Sequence, residues 1–174
     1  MKIIVLRLGH RPRRDKRITT HVALVARAFG ADEMVMTVDD ESVAESIADV
    51  VERWGGDFSI EVIHDWRRYI ETWEGDVVHL TMYGVPIDDT ISKVKTSFKS
   101  LEKDMLIVVG AEKVPGEVFK MADFNISVSN QPHSEVSALA IFLDRFFEGE
   151  ELKRDFGGEM RIIPSEKFKR VAKD

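Results

Sequence analysis

The chain has 174 residues, 44% of them hydrophobic and 32% charged, and it contains no cysteine. That is about one domain of soluble, core-forming sequence, which excludes disordered and collagen-like chains. The missing thiols exclude disulfides, thiolate zinc sites, iron–sulfur clusters and cysteine nucleophiles.

A formal charge of −6 argues against non-specific coating of nucleic acid, but the charge is unevenly spread. Arg7, Arg11, Arg13, Arg14, Lys16 and Arg17 stand against Asp15 alone, and Lys167, Lys169, Arg170 and Lys173 crowd the end of the chain. Such clusters are either a localised polyanion site on an acidic body or ordinary solvated surface. Arg11 and Arg17 are the better phosphate candidates, since they flank a stretch between a buried strand and a helix. Arg7 interrupts the first apolar run before a signal-peptide core forms, and no apolar stretch approaches the ~20 residues of a membrane-spanning helix. An intracellular, cytoplasmic protein without a membrane partner is expected. Few amides beside abundant Lys, Arg and Glu suggest adaptation to heat.

In chain order, Lys2 to Leu8 reads as a strand buried on both faces, followed by a basic loop. Val22, Val25, Ala26 and Phe29 predict a helix over residues 20–30, with Thr19 or Thr20 as N-cap and Gly30 as its stop. A strand at 34–38 precedes an amphipathic helix from Glu41 to Trp54, which ends at Gly55-Gly56. A strand at 59–63, a short helix at 65–73, a strand at 76–82, a helix at 87–101 and strands at 104–109 and 124–128 follow. Ser134 to Phe147 is a helix with one apolar stripe, and the chain beyond Gly149 reads as an appended hairpin or arm. The alternation predicts an α/β fold with a mostly parallel sheet flanked by helices, whose ligand site lies at the carboxyl ends of the strands.

Dinucleotide, P-loop, nucleophile-elbow and zinc-helix motifs are all missing, and no histidine pair has metal spacing, so no metal is expected. Three strand ends remain: Thr81-Met82-Tyr83-Gly84, Gly110-Ala111-Glu112-Lys113-Val114-Pro115 and Ser129-Asn130-Gln131-Pro132-His133-Ser134. Side by side, their backbone groups suit a flat, polar, adenine-like ligand. The three amides of the chain, Asn125, Asn130 and Gln131, fall in or next to the last loop. Turn and cap chemistry with Ser134 as N-cap is the competing account. His10, His21, His79 and His133 read as structural hydrogen-bonders more readily than as catalysts.

The segments Leu6-Arg7-Leu8-Gly9-His10-Arg11-Pro12, Thr19-Thr20-His21-Val22-Ala23-Leu24, His79-Leu80-Thr81-Met82-Tyr83-Gly84, Val108-Val109-Gly110-Ala111-Glu112-Lys113-Val114-Pro115 and Gln131-Pro132-His133-Ser134-Glu135-Val136 closely resemble one family. It is the archaeal tRNA (cytidine-56) 2′-O-methyltransferase family, a divergent part of the SpoU branch of the SPOUT class. The resemblance implies a domain over residues 1–150 with a C-terminal deep trefoil knot, a β-hairpin and basic tail over 151–174, and a homodimer acting on tRNA rather than DNA. It implies S-adenosylmethionine held by Leu80, by Gly110, Ala111, Glu112, Lys113 and Val114, and by Ile126, Ser127, Val128, Ser129, Asn130, Gln131, Pro132 and His133. The essential arginine of the wider branch falls at a position occupied here by Leu24, and the archaeal pattern moves that role to Arg17. Arg7, Arg11, Arg13, Arg14, Lys16, Lys167, Lys169 and Arg170 are the candidate RNA contacts. His21 and Glu112 are the candidates in the sequence for accepting the ribose proton. A dimeric RNA-binding or nucleotide-binding module without methyl transfer is the alternative function.

Overall fold

A computed structural model describes residues 1–111 and 113–173. Six parallel strands form one sheet in the order β3-β2-β1-β5-β4-β6. They are β1 (Ile3–Leu8), β2 (Glu33–Met36), β3 (Ser59–Val62), β4 (Asp76–Pro86), β5 (Met105–Gly110) and β6 (Phe124–Ser127). The helices between and after them are α1 (Pro12–Ala28), α2 (Glu41–Trp54), α3 (Trp66–Glu71), α4 (Ile87–Leu101), α5 (Val118–Met121) and α6 (Glu135–Phe147).

Strand alternation divides the core into two layers. Ile3, Val5, Ile107, Val109 and Val78 face the longer helices, meeting Val22 and Ala26 of α1, Val43 and Ile47 of α2, Val94 of α4, and Leu139 and Phe142 of α6. Ile4, Leu6, Leu8, Leu106 and Val108 face the other way, under the short α3 and α5 with Ile70, Trp66 and Val118. The second layer is thinner because two helices of six and four residues cover what four long helices cover opposite.

The basic segment expected to be a loop is helical. Helix α1 begins at Pro12, eight residues before its expected start, and Thr19 is buried in its interior instead of capping it. Proline presets φ for a first helical position. Asp15 then closes the end of the helix, accepting from the Arg11 backbone N–H at 3.1 Å and from the Arg11 guanidinium at 2.8 and 3.2 Å. The apolar period starts only where α1 reaches the core, so its first two turns carry no periodic signal. Strand β4 likewise runs four residues past its expected end, α5 was not anticipated, and Ser134 caps α6 by accepting from the Val136 N–H at 3.2 Å.

Beyond a 3-10 turn (Glu150–Lys153), β7 (Met160–Ile162) and β8 (Val171–Lys173) form a separate antiparallel hairpin. It is fastened at its base. Gly55 and Gly157 make an isolated bridge, and the Gly56 N–H donates to the Phe156 carbonyl at 2.9 Å. A Cβ on Gly55 would lie 2.2 Å from that same carbonyl, so the chains meet only as glycine. Arg27, buried on α1, donates to the carbonyls of Trp54 and Gly55 at 3.1 and 2.6 Å. Its guanidinium also stacks 4.4 Å from the Phe156 ring centroid. Burial, with Arg154 nearby, lowers the Arg27 pKa from its ordinary value. Phe156→Ala is expected to cost about 1–2 kcal/mol, a Tm change of only a few degrees in a chain of this size, because the ring lies outside the main core. Trypsin should nevertheless cut the variant much faster between residues 154 and 161, read by mass spectrometry of limited digests.

Candidate functional site

The site is built by a crossing of two backbones. Ile126 of β6 pairs with both Leu80 and Val85 of β4, so residues 81–84 are thrown outward as a flap. Gly84 closes the flap against β6, where a Cβ would sit 2.6 Å from backbone atoms of Asn125 and Ile126. The Asn130 side-chain amide then donates to the carbonyls of Met82 at 2.7 Å and Gly84 at 3.3 Å, tying the loop after β6 to the flap.

Between flap and loop lies a cleft of about 730 Å3 at the carboxyl ends of β4, β5 and β6. Leu80, Thr81, Met82 and Tyr83 line it from the flap, Gly110, Lys113, Val114 and Gly116 from the segment after β5, and Val128, His133, Glu135 and Ala138 from the far wall. His79 and Phe119 form its floor, their rings edge to face at 5.1 Å.

Of the residues expected to hold a cofactor, Leu80, Gly110, Lys113, Val114, Val128 and His133 meet in this cleft. Ala111 lies beside it, its N–H bonded to the Leu8 carbonyl at 2.8 Å, while Ile126 and Ser127 are buried in β6. Ser129, Asn130, Gln131 and Pro132 form the exposed loop and do not line the cleft. Glu112 lies outside the described residues. Phe119 and Glu135 belong to the site although sequence reasoning assigned them no role, and Tyr83 (75% exposed) belongs to it from a strand end that was expected to offer only backbone groups. A tyrosine in a turn next to a strand end was the available signal for this ring.

The amides do structural work. Asn125 accepts from His79 Nδ1 at 2.9 Å and donates to the Phe119 carbonyl at 2.9 Å, joining β4, β6 and α5. An amide oxygen only accepts, so His79 carries its proton on Nδ1. Burial lowers the His79 pKa against the opposing pull of Asn125, which keeps the ring neutral at pH 7.

The expected RNA contacts divide into two groups. Arg7 is not one of them. Its side chain has no solvent exposure, because position 7 continues the face of β1 that carries Ile3 and Val5, and it pairs with Glu135 at 2.8 Å. Burial lowers its pKa while Glu135 opposes the shift. Arg11 is engaged with Asp15, whose carboxyl it holds below the usual range. Arg13, Arg14, Lys16 and Arg17 are exposed on the first turns of α1, and Arg17 is not part of the cleft wall. Lys167, Lys169 and Arg170 are exposed in the hairpin connection, with Arg170 over the Phe168 ring at 5.9 Å. His21 is exposed on α1. His10 is buried between Thr19 Oγ1 at 2.8 Å and Asp40 at 2.9 Å. No group of three His, Asp or Glu residues among the described residues has metal-ligand geometry.

The family described as tRNA ribose 2'-O-methyltransferase, aTrm56, matches residues 54–172. The chain belongs to this family. The tRNA (cytidine(56)-2'-O)-methyltransferase of Thermococcus kodakarensis is 58% identical over 97% of this chain and 96% of its own length. That of Methanopyrus kandleri is 55% identical over 98% and 96%. Among solved structures, the A. aeolicus TrmH/SpoU tRNA modifying enzyme superposes with TM-score 0.59 at 16% identity, over 90% of this chain and 78% of that one. A probable methyltransferase from Bordetella pertussis gives 0.60 at 14% identity, over 85% and 93%. At such identities the likeness shows that the chain shares the fold of these proteins.

Two substitutions probe this construction. Gly84→Ala forces the flap off β6 and should lower the Tm by several degrees, since overpacking costs about 1–3 kcal/mol. For His79, the unfolded chain takes up a proton below about pH 6.5 while the folded chain resists it, so its contribution to stability is full above that pH and is lost as pH falls. Urea titrations at pH 5 and 7.5 should show a decline of up to about 1.4 kcal/mol per pH unit from this group, which His79→Asn removes.

Proposed function

We propose that the chain transfers the methyl group of S-adenosylmethionine to the ribose 2′-oxygen of cytidine 56 in tRNA. One observation carries this reading: the strand-end loops implied to hold the donor are those gathered around a single cleft, in a chain that matches its named relatives over nearly its whole length. The cleft fits the donor. Its volume is within the range of cofactor pockets, Leu80, Val114, Val128 and Ala138 give it an apolar body, and Gly110 and Gly116 leave backbone groups open. S-adenosylmethionine supplies an electrophilic methyl on a sulfonium. The chain must bind and orient it, expose the methyl to the ribose and accept one proton.

Polyanion binding is supported by α1. Arg13 and Arg14 stand in the first turn of a helix, whose positive end disfavours cations, and Lys16 and Arg17 follow on the next turn. A tRNA phosphate backbone relieves that repulsion, and Lys167, Lys169 and Arg170 extend the basic surface along the hairpin. Because the acceptor is a ribose hydroxyl, DNA is not a substrate. The target nucleotide leaves its stack at a cost of a few kcal/mol, and exposed Tyr83 at the cleft mouth offers a ring for its base.

The working unit in this reading is a cytoplasmic homodimer. Ile18 and Ile141 are exposed on the packed pair α1 and α6, an apolar face suited to a second copy. Arg17 is next to Ile18 in sequence, so a partner docked on this face would meet Arg17 at the contact. A guanidinium stays protonated, so Arg17 acts by holding phosphate and stabilising developing negative charge at the ribose oxygen. The knotted threading of the family is supported by the passage of the segment after β6 along the flap, joined by Asn130.

Incubation with labelled S-adenosylmethionine and unmodified archaeal tRNA should yield 2′-O-methylcytidine on nucleoside analysis. Arg17→Ala should lower single-turnover transfer by about 10²–10³-fold with donor affinity unchanged. Loss of donor binding with tRNA affinity intact would refute the role given to Arg17.

A further inference from the structure

Among the described residues lining the cleft, Glu135 is the one carboxylate. It sits in the first turn of α6, where the helix N-terminus favours an anion, and its Oε1 accepts from Arg7 Nη2 at 2.8 Å. Its side chain keeps 24% exposure while that of Arg7 keeps none. The Nε and Nη1 atoms of Arg7 have no hydrogen-bond partner among the described residues. An aliphatic residue at position 7 would complete the face begun by Ile3 and Val5 without that burden. What the arginine secures is the placement of Glu135, with one carboxylate oxygen clamped in a side chain that stays partly exposed in the cleft.

Three other basic side chains line the cleft. His79 on β4 is 1% exposed beneath Phe119. Lys113 after β5 is a cation without an acceptor. His133, before α6, donates from Nδ1 to the Ser134 carbonyl at 3.1 Å, which leaves the unprotonated Nε2 as a second acceptor in the cleft, on an exposed ring, whereas Glu135 is clamped by Arg7.

We propose that Glu135, held by Arg7, is the group that takes the proton from the ribose 2′-hydroxyl, with Arg7 as its positioning residue. This rests on the methyl-transfer reading above. The O–H bond breaks towards Glu135 Oε2, the freed electron pair forms the O–CH3 bond, the S–CH3 bond breaks to leave a neutral thioether, and the proton passes to water as product departs. A fixed anion also suits a reaction in which positive charge on sulfur is converted into a released proton.

The test compares wild type, Glu135→Gln and Glu135→Asp as full-length proteins. It uses single-turnover transfer to tRNA from pH 5 to 9, with calorimetric affinities for S-adenosylhomocysteine and tRNA. Glutamine keeps the hydrogen bond to Arg7 and removes the basicity. It should lower the transfer rate by about 10²-fold or more at every pH in that range and leave both affinities within about threefold. Aspartate should recover part of the rate. Transfer by Glu135→Gln within threefold of wild type overturns the proposal, as does a loss confined to S-adenosylhomocysteine affinity, which would make Glu135 a donor-binding group. If the glutamine variant does not fold, an aspartate variant with wild-type rate and pH profile overturns it equally. Failure of the underlying methyl-transfer reading shows instead in the wild-type protein, as binding without transfer.

Discussion

The close approach of Gly84 to the backbone of β6 is the contact on which the functional end of this molecule depends. Parallel strands normally stop where their neighbours stop, and their loops then diverge. Here β4 leaves its register at Leu80, throws out four residues and returns to pair with Ile126 a second time. The return is possible because no side chain separates the two backbones at residue 84. Asn130 then fills the hydrogen-bonding capacity of the flap that water would otherwise satisfy. Two of the segments that bound the cleft are therefore tied to each other before any ligand arrives, which lowers the conformational entropy lost when one is bound.

Charge is sorted with the same economy. Of six cations clustered between residues 7 and 17, two are paired with carboxylates, the buried Arg7 with Glu135 and the partly exposed Arg11 with Asp15. The two pairs organise the protein: one joins the central strand to the first turn of α6, and the other closes the start of α1. The other four share one exposed helical surface. A single run of basic residues thus serves two purposes, divided by strand alternation on one side of Gly9 and by helical periodicity on the other.

Much of this architecture was legible in the residues. Strand and helix alternate as the apolar pattern indicates, α2 and α6 lie within a residue or so of their expected bounds, and the three strand-end loops do converge. What was hidden shares one physical cause. The first turns of α1 touch no core and so have no apolar period, and the extension of β4 is written in Thr-Met-Tyr-Gly, which reads as a turn. Helix α5 is one turn long. The burial of Arg7 was missed because a lone arginine in an apolar strand was read by its charge and not by its register. Glu135 became visible as a site residue only through Arg7, a partner 128 positions away. The crossing itself depends on contacts between segments some forty residues apart, which no local pattern carries.

The fastening of the C-terminal hairpin has a consequence for how this architecture can vary. Its base is clamped to the last turn of α2 through Trp54, Gly55 and Gly56, while α2 is itself seated on the sheet by Val43 and Ile47. An α-helix advances about 100° per residue, so inserting or deleting one residue between Ile47 and Trp54 would swing the root of the hairpin a quarter-turn around the helix axis. The number of residues in that short stretch is thus a gauge for the heading of the arm. Length changes in the surface connections leave that heading alone.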